Sequence, residues 1–149
     1  MRTLYQEMFH QLTLTTRPFE TQLTEQLAKF NIHRTEWAIL YYLMLDKNIS
    51  LVEIGRLLGM DKPNVTRSIK RLVELDCIEL SPSQSDGRKK IIKVKEKGHI
   101  LFHEIRKSIN DFELELLEGV SEEEQHSMYS TLKKIQQNLI KRAGEHLSE

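Results

Sequence analysis

Ten consecutive residues, Lys62 to Arg71, carry four cations (Lys62, Arg67, Lys70 and Arg71) and no acid, interleaved with Pro63, Asn64, Thr66 and Ser68. Guanidinium, ammonium, amide and hydroxyl groups in that mixture suit charge-assisted bonds to phosphates and directional hydrogen bonds to base edges. A second cationic cluster follows at Arg88, Lys89 and Lys90, beside Asp86 and Gly87. A merely solvated basic face has the same composition. The elements that hold these groups therefore decide between the two readings.

The first cluster lies on a helix with two faces. At about 100° per residue, Val65, Ile69 and Leu72 share one side, while Pro63, Thr66, Arg67 and Lys70 share the other. Asn64, Ser68 and Arg71 flank the polar side. Asp61 is placed to cap this helix, and Pro63 is tolerated in its first turn, where amides have no intrahelical partner. A shorter helix precedes it. Ser50 and Glu53 form a capping-box pattern at its start, Ile54, Leu57 and Leu58 give its apolar side, and Gly59 suits the left-handed exit. Two helices joined by a tight turn, the second with a basic front, form a helix-turn-helix.

Ile78 and Leu80, then Ile91, Ile92 and Val94, predict two short strands. Their connector from Ser81 to Lys90 is rich in Ser, Pro and Gly, as a hairpin tip requires. A helix-turn-helix followed by a cationic hairpin is a winged helix, in which one helix enters the major groove and one wing arginine, here Arg88, enters the neighbouring minor groove. Lys89 and Lys90 then fall on phosphates.

From about Ile32 through Gly98 the sequence resembles the MarR family of bacterial transcription regulators. The resemblance rests on Trp37, Ala38, Ile39 and Leu40, on Ser50 through Leu72, on Asp86, Gly87 and Arg88 in the wing, and on Glu96, Lys97 and Gly98 opening the next helix. It departs from the family pattern at three places. Asp76 stands where the family usually has glycine, Leu80 where an arginine often follows the first wing strand, and Lys95 where a threonine commonly precedes Glu-Lys-Gly. Aspartate tolerates the left-handed backbone, so the turn at Asp76 survives. The resemblance implies a homodimeric regulator, more often a repressor, acting on a pseudo-palindromic duplex. It also implies a cleft for small aromatic or lipophilic effectors, for which Arg17, His33, Trp37 and Tyr41 are the candidate lining. Within the groove-facing set Arg67 is the expected reader of a guanine, and Asp86 is expected to hold the wing by pairing with an arginine.

The whole chain of 149 residues suits one compact unit, and 39% hydrophobic with 30% charged residues is the composition of a globular protein. Formal net charge is zero, which excludes a uniformly basic coat protein; the distribution is polar instead. Lys62 to Lys97 holds ten cations and five acids, whereas Asp111 to Glu124 holds seven acids and no Lys or Arg. Such polarity steers DNA towards one end. The fold expected is mainly α with a small β wing, bracketed by long helices. Three segments follow: an N-terminal dimerisation helix over 1–32, the winged region over 33–96, and C-terminal dimerisation helices over 97–149.

The first helix carries Leu4, Met8, Leu12, Phe19, Leu23, Leu27 and Phe30 in one stripe, with Pro18 predicting a kink within it. Ile100, Leu101, Ile105, Ile109, Phe112, Leu116 and Leu117 line the helix after the wing, which Gly119 ends. Ser121 and Glu124 then form a second capping box, and Met128, Leu132, Ile135 and Leu139 line the last helix. A chain this small leaves part of these stripes for a second copy, so Leu4, Met8, Leu12, Met128, Leu132, Ile135 and Leu139 form the expected dimer interface.

No catalytic constellation, metal site or cofactor motif is expected. His10, His33, His99, His103, His126 and His146 are scattered, and the His99/His103 pair has no third ligand at a recognisable spacing. Cys77 is the single cysteine, which excludes a disulfide framework, and falls where a buried apolar residue is expected. With no apolar run of membrane-spanning length and no signal-peptide pattern, the expected location is cytoplasmic. The competing class is a winged-helix protein-docking module without DNA binding, against which the acid-free basic face argues.

Overall fold

The computed structural model describes residues 1–146. Its elements run α1 (Leu4–Ala28), α2 (Arg34–Leu45), α3 (Leu51–Leu58), α4 (Lys62–Glu74), β1 (Ile78–Pro82), β2 (Lys90–Val94), α5 (Glu96–Leu116) and α6 (Glu122–His146). The mainly α architecture with a two-stranded wing is the one the sequence predicts. Backbone contacts divide the chain into two units, residues 1–111 and 112–149, with α5 running through the division. No helix among the described residues is long and apolar enough to cross a membrane.

Local chemistry sets the helix boundaries. At α3 the Ser50 amide donates to Glu53 Oε2 at 2.9 Å and the Glu53 amide to Ser50 Oγ at 3.2 Å. The Ser50 backbone amide first, and the Ser50 hydroxyl second, hold the Glu53 carboxyl below its usual value. The same box opens α6, where Ser121 and Glu124 exchange bonds of 2.7 and 3.1 Å. Gly59 ends α3 at φ +61°, and Asp61 caps α4 by accepting the Asn64 amide at 2.9 Å. Asp76 adopts φ +60°, the left-handed turn that glycine usually provides, and the Cys77 amide returns to the Leu72 carbonyl at 3.0 Å. Helix α1 passes through Pro18 without dividing. Hydroxyls of Thr13, Thr15, Thr16, Thr21 and Thr24 on this helix bond back to carbonyls four residues earlier.

One core fills the first unit. Leu27, Ile32, Ile39, Leu40, Leu43, Ile54, Val65, Ile69, Leu72, Cys77, Ile78, Ile92, Ile105 and Ile109 pack into a single buried cluster. The wing strands are antiparallel in the register Ile78–Val94, Leu80–Ile92 and Pro82–Lys90. Strand alternation therefore turns Ile78 and Ile92 into the core. Gly98, in the first turn of α5, closes the unit. A Cβ there would lie 2.2 Å from the Cys77 carbonyl oxygen, which already accepts the Lys95 amide at 2.9 Å. This close approach is the physical requirement for glycine at position 98.

The terminal helices behave differently. Leu23 and Phe30 are partly buried and Leu27 fully buried, but Leu4 is 87% exposed, and Met8, Leu12 and Phe19 are also exposed. On α6, Met128, Leu132 and Leu139 are exposed and Ile135 is half-buried.

Candidate nucleic-acid interface

Helix α4 presents its two faces as its periodicity requires. Val65, Ile69 and Leu72 are buried, while Lys62, Pro63, Asn64, Thr66, Arg67 and Lys70 are exposed. Ser68 is half-buried on the flank, close to the apolar side. The turn before α4 is tight because Gly55 lets α3 approach it. A Cβ on Gly55 would sit 3.3 Å from the Met60 carbonyl and 3.4 Å from the Val65 side chain. The front of α4 is thus a row of cationic and hydrogen-bonding groups on a back fixed by the core.

Arg71 departs from the expectation that it joins that front. Its guanidinium turns inward: Nε lies 2.7 Å from Glu36 Oε1, and Nη2 donates to the Asn31 carbonyl at 2.8 Å and to Asn31 Oδ1 at 3.1 Å. Glu36 is the one buried charged residue among those described, and a buried carboxylate demands a cation. That demand withdraws Arg71 from the surface. Asn31 offers its carbonyl from a left-handed backbone, φ +56°.

The wing carries Arg88, Lys89 and Lys90 exposed at its tip. Asp86 holds the wing, but by a different bond from the arginine pairing expected. Its carboxylate accepts the Arg88 amide at 3.0 Å, its carbonyl accepts the Lys89 amide at 3.0 Å, and the Ser83 amide closes on the Lys89 carbonyl at 2.8 Å. An aspartate two residues ahead can fold the chain into such a turn without any side-chain partner. A Cβ on Gly87 would meet no atom within 4 Å. At the wing base, Lys95 pairs with Asp76, so two of the three departures from the family pattern satisfy each other. The ammonium holds the Asp76 carboxyl below its usual value, and the carboxylate raises Lys95.

Of the candidate effector lining, the structure joins only the aromatic pair. Trp37 is buried and stacks on Phe102 of α5 with ring centroids 5.2 Å apart, and Tyr41 lies 6.3 Å from both rings. His33 instead points its Nδ1 at Glu36 Oε1, 3.3 Å away, with its ring largely exposed. Arg17 lines an open depression along α1 with Pro18, Thr21, Gln22, Glu25 and Gln26. Sequence reasoning passed over Phe102, Glu36 and Asn31. The one available signal was Glu36, a charge at the edge of the apolar run that begins at Trp37. Cys77 is fully buried, and burial pushes its thiol up.

A helix-turn-helix whose second helix has a basic front, followed by a two-stranded wing with a cationic tip, defines a winged-helix protein. Residues 30–89 match the family model described as MarR family. Over nearly the whole chain the fold also matches a Staphylococcus aureus MarR in complex with salicylate and kanamycin (25% identity, 93% of each chain, TM-score 0.82). A MarR/EmrR family transcriptional regulator from Acinetobacter sp. ADP1 is similar at 26% identity, over 94% of this chain and 99% of that one, with a TM-score of 0.79. A mutant MarR from E. coli complexed with operator DNA shares the fold at 22% identity, over 90% and 99% of the two chains, with a TM-score of 0.76. The winged-helix region, residues 30–89, thus matches the MarR family, and the fold over nearly the whole chain is that of MarR winged-helix regulators.

Proposed function

We propose that the protein is a homodimeric, sequence-specific DNA-binding repressor that recognises a pseudo-palindromic operator. The observation that carries the reading is the front of α4. From Lys62 to Lys70 it is exposed, cationic and free of acids, while its back is locked in the core. Pro63, Asn64, Thr66, Arg67 and Lys70 face the major groove, with Lys62 and Ser68 at the edges. Arg67 reads a guanine through O6 and N7. Arg88 enters the minor groove, and Lys89 and Lys90 neutralise phosphates. The operator DNA complexed with the E. coli relative, which shares this fold, supports DNA binding by this chain.

Dimerisation runs through residues 1–32 and 97–149. The exposed stripe of Leu4, Met8 and Leu12 and that of Met128, Leu132 and Leu139 support it, since apolar surface of that extent needs a partner. Twofold symmetry then sets half-sites about one helical turn apart. A small aromatic effector is a further part of this reading, favoured by the Trp37, Tyr41 and Phe102 cluster and by the salicylate on the S. aureus relative. It would act by preferring a dimer whose two α4 helices have the wrong separation.

Selection of binders from random duplex DNA at several salt concentrations tests the reading. Enrichment of an inverted repeat with a steep salt dependence is the expected result. Absence of binding at low salt would move the assignment to a protein-docking module.

A further inference from the structure

We propose that Arg71 is a positioning residue of the DNA-reading surface: with Glu36 and Asn31 it fixes the rotation of α4, and it does not itself touch DNA. This rests on the DNA-binding reading above. Three observations carry it. The Glu36 side chain is only 3% exposed and draws the buried Nε of Arg71 to it, although the Arg71 side chain as a whole is 32% exposed. One guanidinium engages two segments, α2 through Glu36 and the turn before α2 through Asn31, at 2.7 and 2.8 Å. Glu36 is itself fixed, because Oε2 accepts the His33 amide at 2.9 Å at the start of α2.

The physical reason for such a clamp lies in the other face of α4. Val65, Ile69 and Leu72 hold the helix against the core by burial, which is non-directional and permits small rotations about the helix axis. Hydrogen bonds to base edges do not permit them, since their strength falls steeply with angle. The two bonds from Arg71 Nη2 to Asn31 are directional and restore what burial lacks, while the ion pair with Glu36 keeps the guanidinium in place. Arg71 follows Arg67 by one helical turn and Lys70 by one residue. Rotation at Arg71 is therefore transmitted to both through a rigid helix.

The test compares the native chain with Arg71→Gln, Arg71→Lys, Glu36→Gln and Asn31→Gly. Each is measured on the duplex the native chain selects and on a random duplex of equal length, across a salt series and well below the unfolding temperature. Expected for Arg71→Gln is a loss of about tenfold on the selected duplex, with random-duplex binding and the salt slope unchanged. Glu36→Gln follows it, although Glu36 is buried away from any DNA. Arg71→Lys recovers part of the loss, because an ammonium keeps the charge but not the fork. Asn31→Gly keeps the left-handed backbone and its carbonyl, and costs a few-fold. Should Arg71→Gln fail to fold, the lysine and glycine variants carry the comparison.

Equal losses on both duplexes with a salt slope shallower by about 0.9 would make Arg71 a phosphate contact and overturn the proposal. Lower unfolding temperatures with full selected-duplex affinity would reduce the clamp to a stabilising one and overturn it as well. A native chain that selects no duplex removes the DNA-binding reading and this inference with it. Native selection with indifferent variants removes this inference alone.

Discussion

Helices α4 and α1 carry apolar stripes of the same kind, yet the chain treats them oppositely. The α4 stripe of Val65, Ile69 and Leu72 is at most 3% exposed, covered within the first unit. The first half of the α1 stripe, Leu4, Met8 and Leu12, stays open, and only Leu27 at its far end is fully buried. Periodicity makes a helix amphipathic, but it does not say whether the apolar side is covered by the same chain or by another. In this protein the first unit completes its own core, with Leu27 of α1 and Ile105 and Ile109 of α5 inside it, while Leu4, Met8 and Leu12 stay open. The front of α4 is consequently held by its own fold, whereas the open half of α1 is left for the association proposed above.

The largest effect expected on the self-covered side comes from Gly98→Ala. The new methyl meets a carbonyl that is already bonded, and overpacking of that severity costs about 3 kcal/mol, roughly a 10 °C fall in unfolding temperature. Thermal melts followed by circular dichroism check it. An unchanged melt would mean that the β2–α5 corner is looser than its geometry. On the open side, Leu12→Glu should leave the melt of the winged region nearly intact while converting dimer to monomer in sedimentation. Its apparent affinity for an inverted repeat should drop at least about tenfold, or about 1.4 kcal/mol. If Leu12→Glu stays dimeric with full affinity, the open stripe is not the interface and the contrast between the helices loses its meaning.

Within the DNA surface the contrast is between reading and holding. Arg67→Ala should flatten base preference at one position of each half-site by about 1–3 kcal/mol. Lys89→Ala should weaken all duplexes alike and make the salt slope shallower by about 0.9. Identical behaviour of the two variants would erase the division of labour between α4 and the wing.

The smallest effect belongs to the exposed pair at the wing base. Asp76 is held below the usual carboxylate range, so its contribution is present above that range and lost as pH falls through the depressed value. Lys95 is raised, so its contribution is present below the usual lysine range and lost as pH rises through the raised value. Lys95→Ala should therefore lower the unfolding temperature slightly near neutral pH, and the difference from the native chain should vanish in acid. A difference that persists in acid would show that Lys95 acts through packing of its aliphatic stem and not through Asp76.

The legible part of this protein is what neighbours in sequence decide. Ser50 with Glu53, Ser121 with Glu124, Asp61 before Asn64 and the left-handed turn at Asp76 are all settled within a few residues, and each formed as the residue types require. The two faces of α4 are likewise a consequence of a fixed angle per residue. Two side chains take partners nearer than those expected. Asp86 accepts the Arg88 amide two residues on in place of an arginine side chain. His33 turns its Nδ1 to Glu36 three residues on.

By itself the sequence determined the helix-turn-helix, the wing and the basic front, because caps, turns and periodicity act over one or two turns of chain. Only the tertiary structure decided which cation is withdrawn from the front, which glycine cannot be replaced and which stripe stays open. Arg71 meets Asn31 across forty residues, and the Cys77 carbonyl closes on Gly98 across the wing. Such pairings arise when separate elements share one core, and no local pattern encodes them.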